Sequence, residues 1–248
     1  TGLPKGVMLE HKNLIYFCDW ARRYYSIDEN SRSAAYASYG FDANMFDTYP
    51  VLTAGGTLYI IDESIRLNLI ELQNYFNNNG ITHTLITTQV GRQFALMEGT
   101  NTLKHLTVGG EKLVPLTPPT YNMHNAYGPT EATVLITVSK VDKKYRDVPI
   151  GPALDNVKLY VVDKNGIIVD STLPEFIGYD MASGEQSEEF MVLLEGKEEF
   201  VQKYQPLSID ESILRKYAGV RLPEGGFIQV GYDAEQFQKD IDERVIGA

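Results

Sequence analysis

The spacing of apolar and polar positions changes repeatedly along the chain, and the changes predict alternating helices and strands. HKNLIYFCDWARRYY, His11 to Tyr25, repeats its apolar residues at helical spacing and ends on Arg22 and Arg23, cations that suit the negative end of a helix dipole. SAAYAS then reads as a short strand and FDANMFDTYPVLTAG as a helix entry. GTLYII (Gly56 to Ile61) predicts a strand, LIELQNYFNNNG a helix stopped by Asn and Gly, and ITHTLIT (Ile81 to Thr87) another strand. A helix through VGRQFALMEG and a strand at LKHLTVGG continue the rhythm, which is that of helices packed on a largely parallel sheet.

Further on the pattern is different. KLYVVDKNGIIVDS (Lys158 to Ser171) forms two β-rich runs joined at Asn165-Gly166, a dipeptide that accepts the backbone angles of a tight hairpin. EEFMVLLEG, KEEFVQKYQPL, RKYAGVRL and GGFIQVGYD follow as short alternating or apolar runs, and DAEQFQKDIDERVIGA reads as a helix with Asp233 as N-cap. The expected fold class is α/β: a largely parallel sheet with flanking helices over residues 1–160, then a small α+β, mainly antiparallel segment over 161–248. Charge divides the chain in the same region. Residues 1–165 carry 16 acidic and 15 basic side chains, whereas 166–248 carry 17 and 7, placing a boundary near Gly166.

With 248 residues and 43% hydrophobic content, the chain has enough apolar material for a substantial core. A net charge of -11 excludes a nucleic-acid partner, which requires a basic footprint. No apolar run is long enough to span a bilayer and no leader pattern precedes the first helix, so membrane insertion by this chain is not expected and the expected location is cytoplasmic. The absence of an initial Met suggests a piece of a longer chain. Cys18 is the single cysteine and reads as packing. His11, His83, His105 and His124 are scattered without metal-ligand spacing.

Two motifs suggest chemistry. TGLPKGV, Thr1 to Val7, clusters Gly, Pro and Lys ahead of a helix, where backbone amides and one ammonium can meet phosphate; alone it is better explained as a turn. NAYGPTE, Asn125 to Glu131, is more demanding. Tyr127 offers a flat face to a purine, Gly128 and Pro129 a tight turn, Thr130 a hydroxyl for a phosphate and Glu131 a carboxylate for a hard cation such as Mg²⁺. Its structural alternative is a Gly-Pro loop that starts a helix at Thr-Glu.

TGLPKGV, GFDANMFDTYPVLTAGGTLYI, VGGEKL, NAYGPTE and VPIGPALDNVKLYVVDKNG, in this order and spacing, resemble the adenylation domains of nonribosomal peptide synthetases and related amino-acid ligases over roughly residues 1–166. The resemblance implies the adenylate-forming fold and the conversion of ATP and an amino acid to aminoacyl-adenylate and pyrophosphate, with the product passed to a phosphopantetheinyl carrier protein. It assigns Thr1, Gly2 and Lys5 to the phosphate loop, and Gly109, Asn125, Ala126, Tyr127 and Thr130 to nucleotide contact. Thr130 and Glu131 become the catalytic pair, with Glu131 holding Mg²⁺. Asp42 matches the aspartate that grips the substrate ammonium, although a helix N-cap before ANMFDTY would explain it equally. The implied side-chain pocket comprises Ala43, Phe46, Leu85, Thr107, Gly109, Ala126, Val134 and Leu135. That set has no charge and one hydroxyl, which predicts a medium or large apolar amino acid.

After VVDKNG the resemblance stops. The family's ribose-binding aspartate motif and lysine-bearing lobe do not follow, so the chain is expected to be inactive or impaired in complete adenylation. Residues 161–248 resemble instead a Cache/PAS-like sensor of bacterial receptors or serine-phosphatase regulators, with VVDKNGIIVDS as the signature hairpin. This implies, as an alternative function, a ligand-sensing or interaction module.

Overall fold

The computed structural model describes residue 7 and residues 9–155, 157–202, 205–207, 210–223 and 225–233. The chain divides between Leu154 and Asp155 into two compact units.

The first unit runs α1 (His11–Tyr25), β1 (Arg32–Ala35), α2 (Ala43–Thr53), β2 (Thr57–Ile60), α3 (Glu63–Arg66), α4 (Leu69–Asn79), β3 (His83–Thr87), α5 (Thr88–Ala95), β4 (His105–Gly109), β5 (Asn122–Tyr127) and β6 (Thr137–Lys140). Its six strands form one sheet in the order β2-β1-β3-β4-β5-β6, parallel throughout except for β6, which runs antiparallel to β5. The alternating rhythm of the sequence thus becomes the expected α/β sheet. The strand period of two sends His83 and Leu85 to one face and Thr84 and Ile86 to the other. Ile86, Leu106, Val108 and Met123 pack with Leu72 and Phe76 of α4 and Phe94 of α5 in a core of buried side chains. The opposite face meets α1, where Tyr25 is fully buried and its backbone oxygen lies 3.1 Å from His83 Nε2.

Local chemistry sets the helix ends. A reciprocal capping box between Glu10 and Asn13 opens α1, and Ser26 closes it in the left-handed conformation (φ 54°). Asn68 accepts from the Glu71 amide to start α4, and Gly80 (φ 63°) ends it, as the Asn-Gly stop predicts. Three pieces escaped the sequence reading, among them β6, whose four residues are too few to show alternation. The four-residue α3 is too short to show a period, and β5 was hidden because NMHNAY mixes polar residues into a strand that is nevertheless buried on both faces.

The second unit is antiparallel: β7 (Lys158–Val162), β8 (Ile168–Ser171), β9 (Glu199–Val201), β10 (Gln205–Leu207), β11 (Asp210–Arg221) and β12 (Phe227–Asp233), in the order β10-β11-β12-β7-β8 with β9 also on β11. β7 and β8 form the predicted hairpin. Asp163 accepts from the amides of Asn165 and Ile167 across its turn, and Gly166 sits at φ 85°. The expected division after residue 160 cuts through β7, whose ladders to β8 and β12 tie it wholly to the second unit. EEFMVLLEG, read among the β-rich runs, is helical instead: residues Glu189–Leu193 form a 3₁₀ turn that buries Phe190 and Leu193. The period-three contact of that turn, not alternation, places both rings and chains inward. The terminal helix expected after Asp233 lies outside the described residues.

Candidate functional site

A cavity of about 460 Å³ opens in the first unit. Its walls come from the carboxyl ends of four strands: Tyr36, Ala37 and Ser38 just past β1, Leu85 and Thr87 of β3, Gly109 and Gly110 at β4, and Ala126 and Gly128 at β5. Open α/β sheets bind ligands at that edge, where the loops diverge. Asp42 and Ala43 at the head of α2, and Val134 and Leu135 from the segment after β5, complete a wall on which seven of the nine residues expected at the amino-acid site meet.

Asp42 occupies the N-cap position of α2 yet makes no side-chain cap hydrogen bond, and its backbone is already helical (φ -61°, ψ -28°). Asp42 lines the cavity, and its carboxylate does not cap the helix. A different structural task falls to Asp47, five residues on. Asp47 is fully buried and accepts from the Tyr36 amide at 3.2 Å and the Leu85 amide at 2.8 Å, so that α2 is clamped to the ends of β1 and β3. Burial pushes its carboxyl well above the ordinary range against the pull of these donors. Sequence reading passed over Asp47, although an acid four residues into an apolar helix face, beside Phe46, was a signal.

NAYGPTE divides between strand and turn. Asn125, Ala126 and Tyr127 end β5; Thr130–Ala132 form a 3₁₀ turn. Asn125 is buried, and its Nδ2 donates to the Pro149 carbonyl at 2.9 Å. Tyr127 is half-buried, burial raising its phenol, while Thr130 is exposed and free to meet a ligand. Gly128 is required by space: a Cβ there would lie 2.5 Å from the Val134 carbonyl oxygen and 2.6 Å from Leu135 Cα. The chain folds back over it through Thr133 (φ 61°) and Val134 (φ 70°), left-handed conformations that are unfavourable for β-branched residues. That strained return is what sets Val134 and Leu135 in the cavity wall.

The structure separates some expected residues. Phe46 packs in an aromatic cluster with Phe17 and Tyr25, and Thr107 donates to the Tyr25 hydroxyl at 3.1 Å; both are buried and neither lines the cavity. Strand alternation places Thr107 on the α1 face two residues before the sheet edge. Thr1, Gly2 and Lys5 lie outside the described residues, as does the side chain of Glu131. The uncharged lining is corrected: Glu63 and Arg66 of α3 also reach the cavity, with Tyr36, Ser38 and Thr87 adding hydroxyls. Nothing in the sequence spacing links α3 to this site.

The scattered histidines also converge. His83 and His105 stack at 5.0 Å, His105 and His124 at 5.3 Å, and His105 Nδ1 lies 3.0 Å from His124 Nε2. Burial, with neighbouring rings and lysines, holds His105 down to about 4 and His124 to about 3. No group of three or more His, Cys, Asp or Glu able to hold a metal occurs among the described residues. Cys18 is buried, its thiol pushed up to about 11, in agreement with packing. No helix among the described residues is long and apolar enough to cross a membrane.

Comparison with known proteins gives the family. The model of the AMP-binding enzyme family matches residues 1–173. Surfactin synthase subunit 2 of Bacillus subtilis (strain 168) is 41% identical over 162 residues, 65% of this chain and 4% of that protein. Bacitracin synthase 1 of Bacillus licheniformis is 39% identical over 165 residues, 66% of this chain and 3% of its own length. This chain therefore spans only a few per cent of the curated relatives it matches. Among solved structures, a four-domain nonribosomal peptide synthetase bound to AMP and glycine superposes with a TM-score of 0.60 at 25% identity, covering 68% of this chain and 13% of that one. The synthetase FmoA3 in its AMPPNP-bound form gives a TM-score of 0.62 at 18% identity over 92% of this chain and 26% of its own, a likeness of fold that reaches into the antiparallel unit. The family model spans well over half of the residues, and the chain belongs to the AMP-binding enzyme family.

Proposed function

We propose that the cavity binds an amino acid for ATP-dependent activation, as one part of a peptide-synthesising enzyme. The observation that carries this reading is Asp42, a carboxylate at the cavity wall with no capping duty. An α-ammonium bound there would be fixed by a charge-assisted pair, leaving the substrate carboxylate to attack the α-phosphorus of ATP as the bond to the pyrophosphate oxygen breaks. Leu85, Ala126, Val134 and Leu135 support a medium or large apolar side chain, and the charges of Glu63 and Arg66, 3.2 Å apart, offset one another.

The residues present fit a nucleotide. A Cβ on Gly110 (φ 95°) would meet nothing within 4 Å, so the backbone beside the cavity is open to close approach, and Thr130 is exposed next to Tyr127. Tyr127 would stack on the base, Thr130 would meet the α-phosphate and Glu131 would hold Mg²⁺, which when bound neutralises phosphate charge. Transfer to a phosphopantetheinyl carrier and a cytoplasmic setting complete the proposal.

The test is amino-acid-dependent exchange of labelled pyrophosphate into ATP, together with Mg²⁺-ATP-induced change in melting temperature. Apolar amino acids should give the strongest exchange in a form of the protein that contains the flanking regions of its relatives. Strongest exchange with lysine or glutamate would overturn the apolar pocket, and a melting temperature unmoved by Mg²⁺-ATP would count against nucleotide binding.

A further inference from the structure

Past the end of β1 the chain leaves the strand ladder, so the backbone groups of buried Tyr36 and half-buried Ala37 need partners off the sheet. Two side chains of α2 supply them. Asp47, fully buried, accepts from the amides of Tyr36 at 3.2 Å, Leu85 at 2.8 Å and Ala37. Asn44, also buried, donates its Nδ2 to the Ala37 carbonyl at 2.8 Å, and the Thr48 hydroxyl donates to Asn44 Oδ1 at 3.2 Å, which keeps the amide nitrogen turned to Ala37. Ala37 is thus held through both of its backbone groups by one helix. Tyr36, Ala37 and Leu85 all line the cavity. So does Asp42, whose carbonyl accepts from the Met45 amide at 2.8 Å and ties it to the first turn of α2.

We infer that Asn44 and Asp47 are positioning residues for amino-acid recognition, fixing Asp42 on the helix against the strand ends that meet the substrate side chain. This rests on the amino-acid reading above and adds what sets its geometry. An ammonium paired with Asp42 and a side chain resting on Leu85 are held by a helix and a strand that share no ladder, so their separation depends on what bridges the two elements. Apolar packing of Phe46, Pro50 and Val51 on the same helix is non-directional and leaves sliding open. The bonds to Asp47 and from Asn44 are directional and remove that freedom. A misplacement of about 1 Å between reacting groups costs on the order of a hundredfold in rate, so the joint bears on function as well as on folding. It also accounts for two buried polar side chains on an otherwise apolar helix face.

Titration calorimetry on the full chain without nucleotide tests this with L-leucine and D-leucine, which carry identical groups and differ only in their arrangement. The wild type should favour the L form by about a hundredfold, since handedness is read only where the contact points are fixed. Asp47→Asn keeps the shape but turns an amide donor toward a backbone N–H, and should cut that preference by about tenfold. Asn44→Ala should lower it in the same direction, and it carries the test by itself if Asp47→Asn does not fold, because it leaves the bonds to Asp47 in place. Thr84→Val is the control. It removes the 3.0 Å bond from Thr84 Oγ1 to the Ala34 carbonyl, which joins the same two strands on the other face of the sheet. Its urea midpoint should fall while its L-over-D preference stays that of the wild type. An undiminished preference in folded Asp47→Asn or in Asn44→Ala, an equal loss in Thr84→Val, or equal binding of both enantiomers by the wild type overturns the positioning role while the amino-acid pocket stands. Binding of neither enantiomer by the wild type overturns both.

Discussion

Asp42 and Asp47 lie five positions apart in one segment and have opposite fates, decided by what each can reach. Asp47 finds two strand amides inside the core; Asp42 finds none and faces the cavity. Asp47→Leu should therefore leave the Tyr36 and Leu85 amides buried without acceptors and cost on the order of 3 kcal/mol in urea denaturation. Asp42→Ala should lie within about 0.5 kcal/mol of wild type in the same measurement while removing detectable leucine binding. Equal stability losses in the two variants would erase the distinction. Gly128 supplies a third residue-scale prediction. Gly128→Ala drives a methyl into the Val134 carbonyl and the Leu135 backbone, so denaturation should show a loss of about 1–3 kcal/mol, from overlap and not from lost backbone freedom.

Among the elements, the stacked rings carried by β3, β4 and β5 under α1 make the sheet sensitive to acid. His105 and His124 are held below the usual histidine value, so the unfolded chain binds more protons than the folded one between about pH 4 and 6.5. Stability is therefore full above pH 6.5 and is lost as pH falls through that window. His124, 3% exposed, contributes about 1.4 kcal/mol of loss at one pH unit below 6.5. Denaturant midpoints at pH 7.5 and 5.5 should differ accordingly, and His124→Gln should shrink the difference. A pH difference that His124→Gln leaves unchanged would show that the stack opens to water.

Across the whole molecule, charge is distributed unevenly. Residues 1–154 hold 14 acidic and 13 basic side chains, whereas 155–248 hold 19 and 9, a net of -10 on the smaller unit. Self-repulsion at that density is relieved by added salt. Raising sodium chloride from about 0.02 to 0.3 M, well beyond the point where the Debye length falls under 10 Å, should raise the melting of the antiparallel unit more than that of the parallel one. Far-UV circular dichroism resolved by calorimetric transition would check it. Identical shifts in both transitions would mean that local pairing already cancels the excess acid.

Period and punctuation determined most of the elements from the sequence alone, because helix spacing, strand alternation and Asn-Gly stops act within a few residues: α1 over His11–Tyr25, the end of α4 at Gly80 and the hairpin at Gly166 were all legible. The motifs that contain Asp42, Ala126 and Gly128 were legible as local runs, and these three residues line one cavity. Only the tertiary structure could decide what depends on contacts far apart in the chain. It kept Thr107 and Phe46 out of the cavity lining by packing both against Tyr25 of α1. It stacked three histidines that the sequence scatters, and it brought Arg66 from a helix too short to leave a pattern into a cavity whose other walls are the ends of four strands.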